Sequence, residues 1–213
     1  MTIKVENYKN FIFDLGGVLL NLDFNQTLRA FKNRIPHFNE DFFLGKATQL
    51  DIYSDYETGK VTTSVFIDSF RNYYQTSMSK SEFENCWNAM IFDFPLERIL
   101  LLKKLKLAEK RVFLLSNINE LHEDAVRRSF AKLGLGVDLS SLFDRVYFSH
   151  RVGLRKPDTD IFNRVISDNN LNLSETVFID DSLQHVLGAR KCGLNALHLE
   201  HPGTIEGLPL FSK

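Results

Sequence analysis

Five short apolar runs, bounded by polar or turn-forming residues, constrain this chain more than any other feature. They are Asn10–Asp14 (NFIFD), Arg111–Ser116 (RVFLLS), Arg145–Ser149 (RVYFS), Thr176–Asp180 (TVFID) and Asn195–Leu199 (NALHL). Their apolar residues are continuous rather than alternating, which is the pattern of strands covered on both faces. Between them lie stretches with helical periodicity, including Glu97–Lys106, Glu120–Leu133, Asp160–Asp168 and Leu183–Cys192. Strands alternating with helices build a parallel, doubly wound sheet. The expected fold class is therefore α/β, with a Rossmann-like parallel sheet core.

One interval breaks the alternation. Residues 21–94 contain no convincing buried strand but several helical stretches rich in Phe and Tyr. The interval is far longer than an ordinary loop. Phe31, Phe38, Phe42, Phe43, Phe66, Phe70, Phe83 and Trp87 give it enough apolar mass to argue against disorder. We expect an inserted α-helical domain at 21–94, with the core formed by 1–20 and 95–213.

Bulk properties exclude several partners. The formal net charge over 213 residues is −1, so neither nucleic acid nor a membrane surface is expected as a partner. The densest basic stretch, Lys103 to Arg111, is interleaved with Leu105 and Leu107 and reads as the solvated face of an amphipathic helix. No segment reaches the apolar length of a membrane span. Cys86 and Cys192, the two cysteines, suit a reducing compartment and buried apolar roles, so a cytoplasmic location is expected. The sequence leaves monomer and weak homodimer open.

In open α/β sheets, chemistry gathers at the carboxyl ends of the strands. Here the first run ends in Asp14, the second in Ser116-Asn117 and the fourth in Asp180-Asp181, while Gly153-Leu154-Arg155-Lys156-Pro157 closely follows the third. Each has an ordinary reading. Asp14 before two glycines fits a strand-terminal turn, Ser116-Asn117 and Asp180-Asp181-Ser182 fit helix caps, and Lys156 fits a surface lysine. Each also has a chemical reading. A carboxylate ending a buried strand is costly unless paired or bound to metal. Adjacent carboxylates repel unless a cation relieves them, and oxygen ligands suit Mg²⁺. Hydroxyl, amide and ammonium groups hold phosphoryl oxygens.

The order of these groups resembles the haloacid dehalogenase-like hydrolase superfamily. FDLGGVL resembles its first motif, LLSN its second, GLRKPD its third and VFIDDS its fourth. The helical insert also matches the family's cap in position. This resemblance implies a Mg²⁺-dependent phosphatase acting on a small phosphate ester through an aspartyl-phosphate on Asp14. It further implies that Ser116, Asn117 and Lys156 hold the phosphoryl group. The metal would be held by Asp14, Asp181, the backbone carbonyl of Gly16, and Asp180 directly or through water.

One position departs from the family pattern. Most phosphatases of the superfamily carry an acid two residues after the nucleophile, where this chain has Gly16. General acid–base help is worth roughly 100- to 10,000-fold. We expect an ordered water to substitute, or a substrate with an easy leaving group. The FDLG form, SNINELH and YETGKVTTSVF resemble a subgroup that includes glucose-1-phosphate phosphatases, which points to a sugar phosphate.

Rival readings are a metal-independent 2-haloacid dehalogenase, a phosphosugar mutase and a non-catalytic phospholigand-binding scaffold. Asp180-Asp181 disfavours the first, and the missing acid disfavours the second. His122 and His185 read as capping or surface histidines that could stand in as the acid. Phe42, Phe43, Tyr53 and Tyr56 read mainly as core that could line a pocket. Asn21 and Asp23 could face substrate.

Overall fold

The computed structural model describes residues 4–43 and 52–211. Five strands, β1 (Asn10–Phe13), β2 (Arg111–Ser116), β3 (Arg145–Phe148), β4 (Thr176–Asp180) and β5 (Asn195–His198), form one sheet in the order β3-β2-β1-β4-β5. Every pairing is parallel, and β1 lies at the centre with Ile12 opposite Phe113 on one side and Phe178 on the other. The chain moves outward from β1 through β2 to β3, then crosses back to β4 on the opposite side. That reversal puts the topological switch point between β1 and β4, where such sheets bind ligands.

Side chains alternate across each strand, which explains the continuous apolar runs. Phe11 and Phe13 pack on one face with Ile99, Leu102 and Leu105 of α5 (Leu96–Leu107) and Val126 and Phe130 of α6 (Glu120–Ala131). Ile12, between them, packs on the other face with Phe162 and Val165 of α8 (Thr159–Asn169) and Val186 and Ala189 of α9 (Leu183–Lys191). A one-turn helix, α7 (Ser149–Val152), follows β3. Both faces are covered, as the α/β expectation requires.

Among the described residues, four α-helices, α1 (Phe24–Lys32), α2 (Ile52–Glu57), α3 (Thr63–Tyr74) and α4 (Lys80–Trp87), occupy the interval between β1 and α5. They share an aromatic cluster separate from the two around the sheet, with Phe31 and Phe70 rings 4.7 Å apart and Tyr56 stacked on Phe66 at 4.3 Å. Local signals start these helices. Asp23 caps α1 by accepting from Asn25 N, and Ser79 and Glu82 form a reciprocal capping box on α4. The chain enters and leaves this region as a short antiparallel ribbon, with Asn21 N donating to Asp93 O and Phe92 N to Asn21 O.

Among the described residues no helix is long and apolar enough to cross a membrane. Both cysteines are free thiols. Cys86 is buried as expected, whereas Cys192 is half-buried, because it lies just past the end of α9 beside the Thr159 carbonyl.

Candidate active site

Asp14 follows directly on β1, its amide still donating to Ile179 O as the sheet ladder ends. The Lys156 side chain comes to it from the turn after α7 and is wholly buried. Its Nζ donates to Asp14 Oδ1 at 2.6 Å, to Asp180 Oδ2 at 2.6 Å and to the Leu115 carbonyl at 2.9 Å. An ammonium group has three protons, and each has an acceptor. The surface reading of Lys156 is thereby overturned: burial here is possible because two carboxylates and a carbonyl replace its water.

Asp180, fully buried at the end of β4, also accepts from Ser182 N at 2.8 Å and lies 3.1 Å from His185 Nδ1. Asp181 is exposed to the cavity described below. Asp14, Asp180 and Asp181 each offer an oxygen within 4.8 Å of the others. Gly17 makes room for that cluster. Its φ of +72° is one a side chain strains, and a Cβ there would stand 2.1 Å from Asp181 Oδ2. Three carboxylates against one ammonium leave an excess of negative charge, and their oxygens are a donor set suited to Mg²⁺. The cluster fits such an ion, with Asp14, Asp181 and Asp180 as the side chains that would hold it; Gly16 lines the same cavity.

The electrostatics follow from this crowding. Burial, with Asp180 and Asp181 nearby, pushes the Asp14 carboxyl up to about 7 despite Lys156. Burial acts on Asp180 in the same sense, but Lys156 and His185 together outweigh it and hold that carboxyl down at about 2. Lys156 loses hydration too, yet the two carboxylates keep its pKa above the ordinary lysine range. Asp181 is raised by burial and by Asp180. The site thus holds a fixed cation between one firmly ionised carboxylate and one that is reluctant to ionise without further positive charge.

Ser116 is buried and lines the cavity beside Asp14. The Asn117 side chain is turned to Lys156 rather than into the cavity, which leaves its backbone amide for a phosphoryl oxygen. Its Nδ2 donates to Lys156 O at 2.8 Å and its Oδ1 accepts from Lys156 N at 2.9 Å. The side chain therefore clamps the backbone of Lys156. Neither Ser116 nor Asn117 caps α6; Asn119 does, accepting from His122 N.

The cavity has a volume of about 200 Å³. Tyr53 and Glu57 of α2 line it together with Asp14, Ser116, Asp181 and Leu22. A Cβ on Gly16 would meet Leu22 Cδ1 at 2.3 Å, so the tip of that leucine must move aside for any side chain at position 16.

Other candidates are placed as follows. His122 lines the cavity, but its Nδ1 faces Asn119 Nδ2 at 3.1 Å and its Nε2 faces the Trp87 carbonyl at 3.2 Å. It is thus a neutral ring that ties α4 to α6. His185 lines the cavity and leans on Asp180, so it is not a simple surface or cap residue. Tyr53 reaches the cavity, whereas Phe42, Phe43 and Tyr56 belong to the aromatic cluster. Asn21 and Asp23 do not line it: Asn21 donates to Asp93, and Asp23 caps α1. Glu57 and Leu22 were not evident as site residues, because neither sits at a strand end.

Comparison with known proteins places this geometry. The model of the haloacid dehalogenase-like hydrolases matches residues 8–193. D-ribitol-5-phosphate phosphatase of Bacteroides thetaiotaomicron is 26% identical over 194 residues, covering 91% of this chain and 92% of that protein. A crystal structure of a haloacid dehalogenase family enzyme from the same organism superposes with a TM-score of 0.88 at 29% identity, over 97% of this chain and 100% of that one. The wild-type form of that enzyme with magnesium and inorganic phosphate gives a TM-score of 0.81 at 30% identity, over 92% and 96%. The five-stranded parallel sheet, the four strand-end segments and these likenesses lead to one assignment: the chain belongs to the haloacid dehalogenase-like hydrolases.

Proposed function

We propose that this chain is a Mg²⁺-dependent phosphatase that transfers a phosphoryl group from a small phosphorylated metabolite to Asp14 and then to water. The observation that carries this reading is Lys156, fully buried and shared at 2.6 Å between Asp14 and Asp180 beside the Asp181 carboxylate. A carboxylate approaches a phosphate dianion only if positive charge offsets the repulsion. Lys156 supplies part of that charge. Asp14, Asp181, the Gly16 backbone and Asp180 would hold a divalent cation, which would supply the remainder.

In the first step Asp14 Oδ forms a bond to phosphorus as the bond to the leaving oxygen breaks. Ser116 and the backbone amide of Asn117 hold the phosphoryl oxygens, and the buried Lys156 ammonium, bonded to Asp14, offsets their charge. Position 16 offers no acid, so the leaving oxygen takes its proton from a cavity water. Water then attacks the aspartyl-phosphate, releases phosphate and regenerates Asp14. The inserted segment, residues 21–94, serves as the cap over a core of 1–20 and 95–213, closing over the bound substrate and keeping bulk solvent out.

The substrate class we favour is a sugar or polyol phosphate. A relative that is named for D-ribitol-5-phosphate, an ester of a primary alcohol, supports this class. It also extends the reading beyond anomeric phosphates with their easier leaving groups. The test is phosphate release across sugar phosphates, polyol phosphates, nucleotides and phosphoamino acids, with Mg²⁺ and with EDTA. Release should require the metal and vanish in Asp14→Asn. Metal-independent release, or release retained by Asp14→Asn, would refute the assignment.

A further inference from the structure

Glu57 closes α2 and is 5% exposed, with its side chain in the cavity wall. Its Oε2 lies 2.9 Å from Nη2 of Arg155, the residue immediately before Lys156. Tyr53 hydrogen-bonds to the same carboxylate. The end of α2 is fitted closely against the core at this point. Gly59 (φ +69°) sits where a Cβ would come 2.1 Å from the His150 carbonyl oxygen, and Thr63 Oγ1 donates to Glu120 Oε2 at 2.5 Å.

Stability alone gives this pair little reason to exist. Glu57 Oε2 and Arg155 Nε are buried with no aligned hydrogen-bond partner. A buried pair with imperfect hydrogen bonding returns little of its desolvation cost. Its place along the chain is more informative. Arg155 and Lys156 share a peptide unit, so a pull on the guanidinium is felt one residue away. That backbone is held on the core side by Asn117, through both the Lys156 amide and carbonyl. On the other side Glu57 holds the guanidinium of the preceding residue, Arg155.

We infer that Glu57 and Arg155 are positioning residues: the inserted helices, through this ion pair, fix the backbone that carries Lys156. Lys156 then stands between Asp14 and Asp180 only when α2 is seated against the core. The role given to Lys156 rests on the phosphatase reading, whereas the mechanical coupling does not.

Glu57→Gln, Arg155→Gln and the double variant test it by two measurements. The first is hydrogen–deuterium exchange of the segment 153–158, where the Lys156 amide donates to Asn117 Oδ1. The second is kcat and KM on whichever phosphate ester the wild type hydrolyses best. Each single variant should speed exchange of that segment and lower kcat roughly 10- to 100-fold, the loss typical of about 1 Å of misplacement, while KM moves less. The double variant should be no worse than either single one. Arg155→Lys, which keeps a cation for Glu57, should recover part of both signals, and it decides the matter if the Gln variants do not fold. Exchange unchanged in folded variants would overturn the inference. So would a loss confined to KM in Arg155→Gln with Glu57→Gln silent, because Arg155 would then touch substrate directly. A wild type that releases no phosphate from any ester would refute the phosphatase reading and leave the exchange result to judge the coupling.

Discussion

Lys156 Nζ stands 2.6 Å from Asp14 Oδ1, with the lysine side chain completely out of contact with solvent. Lys156→Met removes a cation that two buried carboxylates share, leaving Asp14 uncompensated and Asp180 with the Ser182 amide and His185. Removing one partner of such a pair costs about 3–5 kcal/mol. The deficit should be largest at high pH and shrink as acid protonates the orphaned carboxylates, since neutral carboxyls need no counter-charge. Urea denaturation of wild type and variant at pH 8 and pH 5 checks this. A variant as stable as wild type at pH 8 would contradict it.

Asp14→Asn should behave in the opposite sense. Burial, with help from Asp180 and Asp181, raises the Asp14 carboxyl from 3.8 to about 7. A carboxyl whose pKa is higher in the folded state favours folding when protonated, and that favour is lost as pH rises through about 7. Metal-free wild type at pH 8 therefore carries a destabilising charge that asparagine lacks. The variant should melt above wild type in EDTA at pH 8, with the gap closing towards pH 5. Added Mg²⁺ should raise the wild-type melting temperature more than that of the variant. A variant less stable than wild type in EDTA at pH 8 would count against the electrostatics given for Asp14.

The sheet was legible because both faces of each strand are buried. Phe11, Ile12 and Phe13 must all be apolar, so the run marks the strand to within a residue. The convergence of Asp14, Ser116, Lys156 and Asp180-Asp181 was also legible, because parallel strands bring their carboxyl ends to one edge. Long-range contacts were not. Nothing local distinguishes Lys156 from a surface lysine; its burial depends on an Asn117 clamp 39 residues away and on Asp14, 142 residues away. The Glu57–Arg155 pair likewise has no periodic signature. Asp23 did have a local signal, an acidic residue just before a helical stretch, and the capping rule would have removed it from the substrate candidates.

The contact between Gly16 and Leu22 makes a further claim about the missing acid. With Leu22 Cδ1 2.3 Å from where a Cβ would sit, Gly16→Asp by itself must turn the leucine tip aside and should gain less on an alkyl phosphate than the same change made with Leu22 truncated. Leu22 is 38% exposed, so truncating it disturbs little of the core. Gly16→Asp combined with Leu22→Ala should give a higher kcat than Leu22→Ala, approaching the roughly 100-fold lower range of general acid–base assistance. Single-turnover phosphate release by the three variants measures this. If the combined variant gains nothing over Leu22→Ala, access to position 16 is not what withholds the acid.

His122 makes the fold sensitive to acid, away from the phosphoryl chemistry. Its ring stacks on Trp87 at 4.8 Å, and burial lowers its pKa from 6.5 to about 4, with the Trp87 carbonyl working the other way. A histidine held neutral in the fold protonates more readily once unfolded. Its contribution is therefore fully present above about 6.5 and is lost as pH falls towards about 4. The loss should be on the order of 3 kcal/mol, from about 1.4 kcal/mol per unit of pKa difference. His122→Gln keeps a donor for the Trp87 carbonyl but has no proton to gain. It should start less stable at neutral pH and then decline less steeply between pH 6.5 and 4, the carboxylate contributions being common to both proteins. The fluorescence of Trp87, the chain's single tryptophan, reports unfolding at the interface in question. Parallel pH profiles for the two proteins would show that His122 is not the group that makes this contact acid-sensitive.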